Sequence, residues 1–441
     1  MEQKINVAEL IESTNAKICV VGLGYVGLPL AMAFGSHFRT VGYDVSGWRI
    51  EELKRGDDST RESSKKDIEG AAGLSFTCNH GDIARCDIYV VAVPTPVSGG
   101  IPDVKHLKTA SQAIGESMKK GSLVIYESTV YPGCTEEVCI PELERASGLK
   151  VNEDFLVGYS PERINPGDKV HALSNIIKVV SGSCPEACKA VDALYRWVIK
   201  AGICPVSSMR VAEAVKSVEN AQRDVNIAFA NEVSVVLRRQ GIDSQEVLNA
   251  ASTKWNFLNF RPGLVGGYCV PNASYYLTYK AIGDGYRPEV MKASRKTNEG
   301  MAKHVACEVV KLMIDDGIQV KGAIVRVFGC TFKEGCPETR CSPVFDIVEE
   351  LKRFHCNVQV VDPHADAGFV EANYGIKLTP FDTTEPKDAI DLYDGGCYKD
   401  GVAAAIIAVA HDEFKHLDFG KSTIVYDVKG VLPKEKVNGR L

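Results

Sequence analysis

Short apolar runs alternate with helix-length segments along most of this 441-residue chain, and that alternation restricts the fold more than any other feature. Strands that are separated by helices cannot pair as tight hairpins, so they form βαβ units around a parallel sheet. The pattern occupies residues 17–204 and returns after residue 322. We therefore predict an α/β fold with two doubly wound parallel-sheet domains. The predicted strands are Ile18–Val21, Thr40–Tyr43, Ile88–Val93, Leu123–Tyr126, Phe155–Tyr159, Ile176–Val180, Ala323–Phe328, Asn357–Val361, Ala403–Val409 and Thr423–Asp427.

The middle of the chain has a different composition. Residues Met209–Gln240 contain neither proline nor glycine, which predicts one long helix that ends at Gly241. Further helical segments follow to about Asp315, interrupted by a loop rich in glycine and proline at Arg261–Pro271. We predict three domains: a sheet domain at 1–206, a central helical domain at 207–315 and a second sheet domain at 316–441.

Charge and composition exclude several classes of protein. The formal net charge is −6, so the basic excess that nucleic-acid binding requires is missing. The longest apolar run, Val402–Ala410, is shorter than the ~20 residues that span a bilayer, and Met1–Asn6 carries no signal-peptide core. We expect a cytoplasmic protein with neither nucleic acid nor membrane as a partner. The fifteen cysteines include no Cys-x-x-Cys pair, so we expect reduced thiols and no metal site.

A glycine motif, Gly22-Leu-Gly24-Tyr-Val-Gly27, follows the first predicted strand and opens a predicted helix. The first glycine permits a tight turn, the second lets a pyrophosphate approach the backbone, and the third lets the helix pack on the strand. Asp44 ends the next strand, 22 residues after Gly22, where a carboxylate accepts hydrogen bonds from a ribose 2′-hydroxyl and repels a 2′-phosphate. The motif predicts a Rossmann-like domain that binds NAD rather than NADP. The alternative is an ordinary βαβ turn with a surface aspartate.

Three segments that follow predicted strands carry further polar candidates. They are Pro94-Thr95-Pro96, Glu127-Ser-Thr129, and Ser160-Pro-Glu162-Arg163. Ligands of open α/β sheets bind at the carboxyl ends of the strands, which makes each segment a candidate for the binding site. The alternative for each is a plain turn with solvated side chains.

A cysteine, Cys269, stands in a loop directly after Gly266-Gly267-Tyr268. Most cysteines are small buried hydrophobes, and that is the first interpretation of this one. The second is a thiol nucleophile, which can trap an aldehyde as a thiohemiacetal that a further oxidation converts to a thioester.

Further cationic and amide side chains are candidates for anion binding. Lys216 and Asn220 are spaced i, i+4 on the long helix, so they share a face and could hold a developing oxyanion. Lys333, Arg340 and Lys429 lie in the C-terminal sheet domain, where cations could neutralise a diphosphate. Solvated surface charges are the alternative in each case.

Taken together, these motifs resemble the UDP-glucose/GDP-mannose dehydrogenase family, and most of all its UDP-N-acetylhexosamine 6-dehydrogenases. The resemblance extends from about Ala16 to Val431. The segments that carry it are Gly22–Pro29, Tyr159–Asp168, Glu219–Ile227, Lys254–Phe257, Arg261–Gly267 and Val409–Phe414.

The resemblance implies an NAD-dependent four-electron oxidation of a sugar C6 alcohol through an aldehyde and a cysteine-bound thioester to a carboxylate. Two NAD are reduced and one water is consumed. The implied substrate is a UDP-N-acetylhexosamine, the implied product is a UDP-N-acetylhexosaminuronate for surface polysaccharide or glycan biosynthesis, and the implied assembly is a homodimer built by the central helices. One alternative is a UDP-glucose 6-dehydrogenase, and another is a catalytically weak relative that binds nucleotide sugars.

The resemblance also implies roles for single residues. Cys269 becomes the nucleophile, Lys216 and Asn220 stabilise oxyanions, and Thr129 and Glu162 position a water or transfer protons. The implied NAD contacts are Gly22, Gly24, Tyr25, Val26, Gly27, Asp44, Arg49, Thr95, Thr129 and Arg340. The implied substrate contacts are Glu162, Arg163, Lys216, Asn220, Gly266, Gly267, Lys333, Lys429 and Arg261, the last of which could instead contact a partner subunit.

The cysteine loop departs from the family pattern, which usually reads Gly-Gly-His-Cys-Ile-x-x-Asp-Pro-Tyr-Tyr-Leu. Here Tyr268 replaces the histidine and Ala273 replaces the aspartate, which in the family works with the lysine and a water in proton transfer. Asn272 can hydrogen-bond the same water but cannot accept a proton as a carboxylate does. The alternative of a catalytically weak relative rests on this loss.

Overall fold

The computed structural model describes residues 7–163, 173–381, 393–394, 397–398, 401–417, 419 and 423–441. The second half of the resemblance segment Tyr159–Asp168 lies outside the described residues. The chain forms two compact units, which are described separately. The first comprises Met1–Asn220 and Asn272–Arg287, and the second comprises Ala221–Pro271 and Pro288–Leu441.

In the first unit, the described residues form an eight-stranded sheet with the strand order β10-β9-β8-β7-β4-β1-β2-β3. Neighbouring strands pair in parallel except β8 and β9, which are antiparallel. Strands β5 and β6 form a separate hairpin. The strands are β1 (Lys17–Val21), β2 (Arg39–Tyr43), β3 (Leu74–Thr77), β4 (Ile88–Val91), β5 (Val97–Ser98), β6 (Ile101–Pro102), β7 (Leu123–Tyr126), β8 (Leu156–Tyr159), β9 (Lys178–Gly182) and β10 (Ile203–Pro205).

Helices cover both faces of this sheet, so its central strands are buried on both sides. Ile18 and Val20 of β1 contribute to one apolar core, whereas Cys19 and Val21 contribute to the other. Burial on both faces explains why these strands are continuous apolar runs. The helices are α1 (Val7–Glu12), α2 (Gly27–Gly35), α3 (Gly47–Lys54), α4 (Lys65–Gly70), α5 (Lys105–Ser117), α6 (Ile140–Ser147) and α7 (Pro185–Tyr195).

Four helices follow the first sheet, and the long one is where the sequence predicts it. Helix α8 (Met209–Arg239) has 31 residues, and Gly241 lies just beyond its end with φ +71°. The next three are α9 (Ser244–Ala251), α10 (Cys269–Gly283) and α11 (Glu289–Asp315). Within the described part of the chain, none of the helices combines the length and the apolar composition that crossing a membrane requires.

The second unit contains a five-stranded sheet with the order β12-β11-β15-β16-β17, parallel throughout. The fold prediction of two Rossmann-like sheets with a helical middle is confirmed. The five strands are β11 (Ile324–Phe328), β12 (Asn357–Val361), β15 (Val402–Ile407), β16 (Ile424–Asp427) and β17 (Gly439–Arg440). Two further strands, β13 (Tyr393–Asp394) and β14 (Cys397–Tyr398), form a separate antiparallel pair. The helices after β11 and β12 are α12 (Val344–Arg353) and α13 (Ala367–Tyr374).

Candidate functional site

The glycine motif forms a loop between β1 and α2 in which Gly22 and Gly27 are held close to other backbone atoms and Gly24 is not. Gly22 has φ +91°, and a Cβ there would lie 2.9 Å from the Ala92 carbonyl oxygen. A Cβ at Gly27 would lie 1.8 Å from the Gly22 carbonyl oxygen, so only glycine lets α2 begin this close to β1. A Cβ at Gly24 would meet nothing within 4 Å. The backbone at Gly24 therefore borders open space at the start of a helix, which fits a pyrophosphate.

Asp44 lies directly after β2, beside this loop. Its carboxylate accepts backbone N–H groups from Leu23 and Ser46, each at 2.9 Å. Two backbone donors hold the carboxylate at the position that a ribose-binding acid occupies in this kind of fold.

Arg49, a predicted NAD contact, is buried and fully engaged with protein groups. Its Nε donates to the Leu23 carbonyl at 2.9 Å, and its guanidinium pairs with Glu52 at 2.9 Å and Asp58 at 2.8 Å. Through Leu23 the guanidinium braces the glycine loop. The prediction that Arg49 contacts NAD remains a prediction.

Thr95 and Thr129, from the carboxyl ends of β4 and β7, are brought together. The Thr95 hydroxyl donates to the Thr129 carbonyl oxygen at 2.5 Å. The buried Tyr276 hydroxyl donates to the Thr95 carbonyl and lies 3.0 Å from its Oγ1. Tyr276, which sequence reasoning missed, thereby fixes this pair to α10.

Glu162 lies three residues after β8 and is buried. Both of its carboxylate oxygens accept hydrogen bonds. Its Oε1 accepts the Arg163 N–H at 2.6 Å, and its Oε2 accepts from the Lys178 ammonium at 2.5 Å. The Arg163 guanidinium pairs with Glu219 of α8. Lys178 was not among the predicted site residues, although a lysine inside the apolar run Ile176–Val180 is a signal, because buried lysines need a partner.

Lys216 and Asn220 lie on α8 with the predicted i, i+4 spacing and are both buried, at 4% and 1% exposure. Among the described residues, neither the amide nitrogen nor the amide oxygen of Asn220 has a hydrogen-bond partner. An unpaired buried amide costs ~1–3 kcal/mol, so the lack of a partner calls for an explanation. Glu213, one turn earlier, accepts the N–H of Thr135 at 2.9 Å and anchors α8 on the loop after β7.

In the second unit, the loop before Cys269 packs closely against residues 341–343. A Cβ at Gly266 would lie 2.7 Å from Pro343 Cδ, and the Gly267 N–H donates to the Cys341 carbonyl at 3.2 Å. Gly267 also has φ +78°, which favours glycine. Cys269 is the first residue of α10 and is half-buried.

Asn231 of α8 anchors the start of this loop, and sequence reasoning missed it. The Gly263 N–H donates to Asn231 Oδ1 at 2.7 Å, and Asn231 Nδ2 donates to the Gly263 carbonyl at 3.0 Å. Nearby, Arg261 Nη2 donates to Ser252 Oγ at 3.1 Å, whereas its buried Nη1 has no partner in the part of the chain that the structure describes. The described residues therefore leave one guanidinium donor of Arg261 unused.

The three predicted cations of the second sheet domain differ in their surroundings. Arg340 pairs with Glu338, with 2.8 Å between Nε and Oε1, and its guanidinium lies 5.8 Å from the centre of the Tyr268 ring. Lys429 is exposed, and a Cβ at Gly263 would lie 3.5 Å from its Nζ. Lys333 is half-buried after β11.

His364, His411 and Glu413 offer possible metal-ligand atoms that lie within 4.8 Å of one another. The buried His411 uses both ring nitrogens in hydrogen bonds: Nδ1 accepts the Gly335 N–H at 3.2 Å, and Nε2 lies 3.2 Å from Asp362 Oδ2. His411 thereby links Gly335, after β11, to Asp362, at the end of β12.

The predicted site residues fall in both units. The first unit contains Gly22, Gly24, Tyr25, Val26, Gly27, Asp44, Arg49, Thr95, Thr129, Glu162, Arg163, Lys216 and Asn220. The second contains Arg261, Gly266, Gly267, Cys269, Lys333, Arg340 and Lys429.

A glycine loop of this geometry, followed by an acid at the end of β2, is typical of dinucleotide-binding α/β proteins. Three domain models of the UDP-glucose/GDP-mannose dehydrogenase family match this chain. They are the NAD binding domain at residues 16–199, the central domain at 210–300 and the UDP binding domain at 326–434.

Individual relatives are similar over nearly their whole length. A UDP-N-acetyl-D-glucosamine 6-dehydrogenase of Pseudomonas aeruginosa is 49% identical over 433 residues, covering 96% of this chain and 99% of the relative. A protein of the same name from Salmonella typhi is 46% identical, covering 96% and 98%. The solved structure of a UDP-D-ManNAc dehydrogenase from Pyrococcus horikoshii matches with a TM-score of 0.84 at 29% identity, covering 96% of this chain and 98% of that chain.

The chain belongs to the UDP-glucose/GDP-mannose dehydrogenase family, as its motifs predict. It is an NAD-dependent dehydrogenase, and the prediction of NAD as cofactor is confirmed.

Proposed function

We propose that this protein oxidises the C6 alcohol of a UDP-N-acetylhexosamine to the UDP-N-acetylhexosaminuronate, with two NAD reduced per product. The similarity to UDP-N-acetyl-D-glucosamine 6-dehydrogenases over 96% of the chain supports this substrate class. The domains proposed for the reaction are 1–206 for NAD, 207–315 for the catalytic cysteine and dimer contact, and 316–441 for the UDP-sugar. The extents of the three family models support this division.

NAD, when bound, accepts a hydride in each of the two oxidations. The open backbone at Gly24 and the carboxylate of Asp44 fit its pyrophosphate and ribose, respectively. We propose further NAD contacts from Tyr25, Val26, Gly27, Gly22, Arg49, Thr95, Thr129 and Arg340. Asp44 would repel a 2′-phosphate and so select NAD over NADP.

Cys269 is proposed as the nucleophile of the second oxidation. Its sulfur adds to the C6 aldehyde to form a thiohemiacetal, loss of a hydride gives a thioester, and water releases the carboxylate and restores the thiol. Lys216 and Asn220 would stabilise the oxyanions at C6, and Thr129 and Glu162 would position the water or move its protons.

The observation that carries these roles is the buried amide of Asn220, which has no hydrogen-bond partner in the part of the chain that the structure describes. An amide with both polar atoms buried and unpaired is disfavoured unless a ligand pairs with it. We propose that a substrate oxygen accepts from this amide. Substrate contacts are also proposed for Glu162, Arg163, Lys216, Arg261, Gly266, Gly267, Lys333 and Lys429.

A homodimer is proposed for the assembly. Helix α8 exposes apolar side chains at helical spacing, with Val211, Val215 and Val218 in its first half and Phe229 and Val236 in its second. Exposed apolar positions that repeat along one helix are typical of a helix-to-helix interface. We also propose a cytoplasmic location, because fifteen cysteines stay reduced there and NAD and UDP-sugars are cytoplasmic metabolites.

The test of the proposed function is NADH formation, followed by absorbance, with a panel of UDP-sugars. UDP-GlcNAc, UDP-GalNAc and UDP-ManNAc are expected to react faster than UDP-glucose, and product analysis is expected to show two NADH per uronate. UDP-glucose turnover equal to the best hexosamine would favour a UDP-glucose 6-dehydrogenase. Nucleotide-sugar binding without NADH formation for any sugar would favour the catalytically weak relative.

A further inference from the structure

A buried row of polar side chains lies between α8 and α11 within the second unit. Asp224 and Asn231 have the spacing i, i+7 on α8, and Arg295 and Asn298 have the spacing i, i+3 on α11. Both spacings place the two residues on one face of their helix. Their exposures are 0% for Asp224 and Asn231, 3% for Asn298 and 7% for Arg295. Buried polar side chains are costly unless they pair, so their partners show what the row does.

The row forms a continuous chain of hydrogen bonds that ends at the loop before α10. The Arg295 guanidinium donates to Asp224 Oδ1 at 2.7 Å. Asn298 Nδ2 donates to the same oxygen at 2.7 Å and to the Asp224 carbonyl at 2.9 Å. Asn231 Nδ2 donates to Asn298 Oδ1 at 2.8 Å and to the Gly263 carbonyl at 3.0 Å, and Asn231 Oδ1 accepts the Gly263 N–H at 2.7 Å.

Only an amide at position 231 satisfies every member of this chain. The backbone of Gly263 offers one donor and one acceptor, so it requires an acceptor and a donor side by side. The second N–H of Asn231 requires another acceptor, which is Asn298 Oδ1. Asn298 presents this oxygen because its nitrogen faces the backbone carbonyl of Asp224, which can only accept. A carboxylate or an apolar side chain at position 231 would leave buried groups unpaired.

The loop that Asn231 clamps is held at a second place before it reaches Cys269. The Gly267 N–H donates to the Cys341 carbonyl at 3.2 Å, and both Gly263 and Gly267 are buried. Cys269 follows Gly267 by two residues, so the path of the backbone from Gly263 onwards determines where the thiol lies. Misplacing a reacting group by 1 Å can cost ~10²-fold in rate.

We infer that Asn231, held in place by Asn298, is a positioning residue for Cys269. Its two hydrogen bonds to Gly263 fix one end of the cysteine loop, and the chain that begins at Arg295 holds the amide from behind. Asn231 therefore acts through the backbone of the loop. The inference rests on the proposed function, in which Cys269 is the nucleophile.

Hydrogen exchange and thiol alkylation test this positioning without any substrate. In Asn231→Ala, the peptide that contains Gly263 should exchange roughly tenfold faster than in the wild-type protein, the scale of one lost hydrogen bond. Cys269 should also react faster with iodoacetamide, as measured by mass spectrometry of its peptide. Asn298→Ala removes the support of the clamp and should change both rates in the same direction, by less. If Asn231→Ala does not fold, Asn298→Ala carries the test.

Ser234→Ala is the matched control on the same helix. Ser234 is 3% exposed, lies one turn after Asn231 and donates to the Asn231 carbonyl at 2.7 Å, so its hydrogen bond stays within α8. This variant should keep both rates at their wild-type values. Wild-type rates in both Asn231→Ala and Asn298→Ala would overturn the inference, and so would an equal acceleration in Ser234→Ala.

The stoichiometry of the reaction separates the positioning of Cys269 from general damage. In the proposed function only the second oxidation uses the thiol, so a misplaced loop lets aldehyde escape before it is trapped. The ratio of NADH to uronate should therefore rise above two in Asn231→Ala, with the KM for NAD unchanged, whereas general damage would keep the ratio at two. An unchanged ratio would overturn the link to catalysis. If no UDP-sugar is oxidised while exchange and alkylation behave as expected, the proposed function fails and the clamp on the cysteine loop stands.

Discussion

Ala273 is fully buried in α10, so the missing family aspartate cannot be restored without placing a carboxylate in a closed space. Burying a charge without a partner is costly, and the acid either stays neutral or destabilises the fold. Ala273→Asp is therefore expected to lower the melting temperature and to leave the rate of NADH formation equal or lower across pH. Ala273→Asn, which has the same shape without the charge, is the control. Faster turnover at an unchanged melting temperature would show that the site had lost a working acid.

Cys269 is the residue on which the proposed second oxidation depends. A serine oxygen is a poorer nucleophile than a thiolate and a poorer leaving group in the acyl intermediate. Cys269→Ser is expected to reduce the uronate yield by at least ~10²-fold, the lower end of what one catalytic group supplies. Chromatography of the reaction products measures this yield. Cys307→Ser, a half-buried cysteine of α11, should keep the wild-type yield. Normal uronate formation by Cys269→Ser would make Cys269 a structural thiol.

At the scale of the element, two residues of the glycine loop are expected to differ in role: Gly27 affects the stability of the fold, and Gly24 affects NAD binding. Gly27→Ala places a methyl group 1.8 Å from the Gly22 carbonyl, so α2 must move and the protein should lose ~1–3 kcal/mol of stability. Gly24→Ala meets no protein atom within 4 Å, so the same methyl group should leave stability unchanged and weaken NAD binding. Thermal unfolding and NAD titration of the two variants measure this contrast. Equal losses of stability in both would contradict the assigned loop geometry.

The direction of an individual strand is not recorded in the apolar pattern of that strand. Residues Ile176–Val180 predict a buried strand, and β9 is present, but an apolar run has the same pattern whichever way the chain runs. The antiparallel direction places Lys178 opposite Glu162, so sequence reasoning had no means of pairing them. The edge strands β3 and β10 were missed because edge strands are only partly buried and need no continuous apolar run.

At the scale of the whole molecule, Glu127 gives the stability of the protein a dependence on pH. Burial raises the pKa of Glu127 from 4.5 to about 7. Between these two pH values, the folded state therefore holds a proton that the unfolded chain releases. The contribution is fully present below about pH 4.5 and is lost as the pH rises through about 7, for a total of roughly 3 kcal/mol. Glu127→Gln should therefore reduce the fall in the free energy of unfolding over this range, as measured by denaturant titration.

The contribution of Asp243 to stability depends on pH in the opposite direction and over a lower pH range. It therefore does not interfere with the measurement on Glu127→Gln. Its hydrogen bond from Arg440 lowers the pKa of the carboxyl to about 2, so its contribution is present above the ordinary value of 3.8 and is lost as the pH falls through about 2. An unchanged pH dependence in Glu127→Gln would show that another group holds the proton.

The proposed homodimer is a further property of the whole molecule. Phe229 on α8 is 63% exposed, and a charge placed inside an apolar interface opposes association. Phe229→Asp is expected to shift the protein from dimer to monomer in sedimentation velocity. Ile101→Asp, at an equally exposed apolar position in the β5–β6 hairpin, should leave the assembly unchanged. A monomeric wild-type protein would contradict the proposed assembly.

The sequence by itself determined the two mostly parallel sheets, the long helix and the glycine loop, because local periodicity and steric limits on glycine act over a few residues. Its family motifs also predict the proposed site residues from Gly22 to Cys269. Only the tertiary structure decided that Tyr276 holds Thr95, that Asn231 clamps Gly263 and that Lys178 neutralises Glu162. Each of these pairs joins residues that are far apart in the chain or depends on strand direction. Such contacts are set by how the elements pack, and no local pattern in the sequence records them.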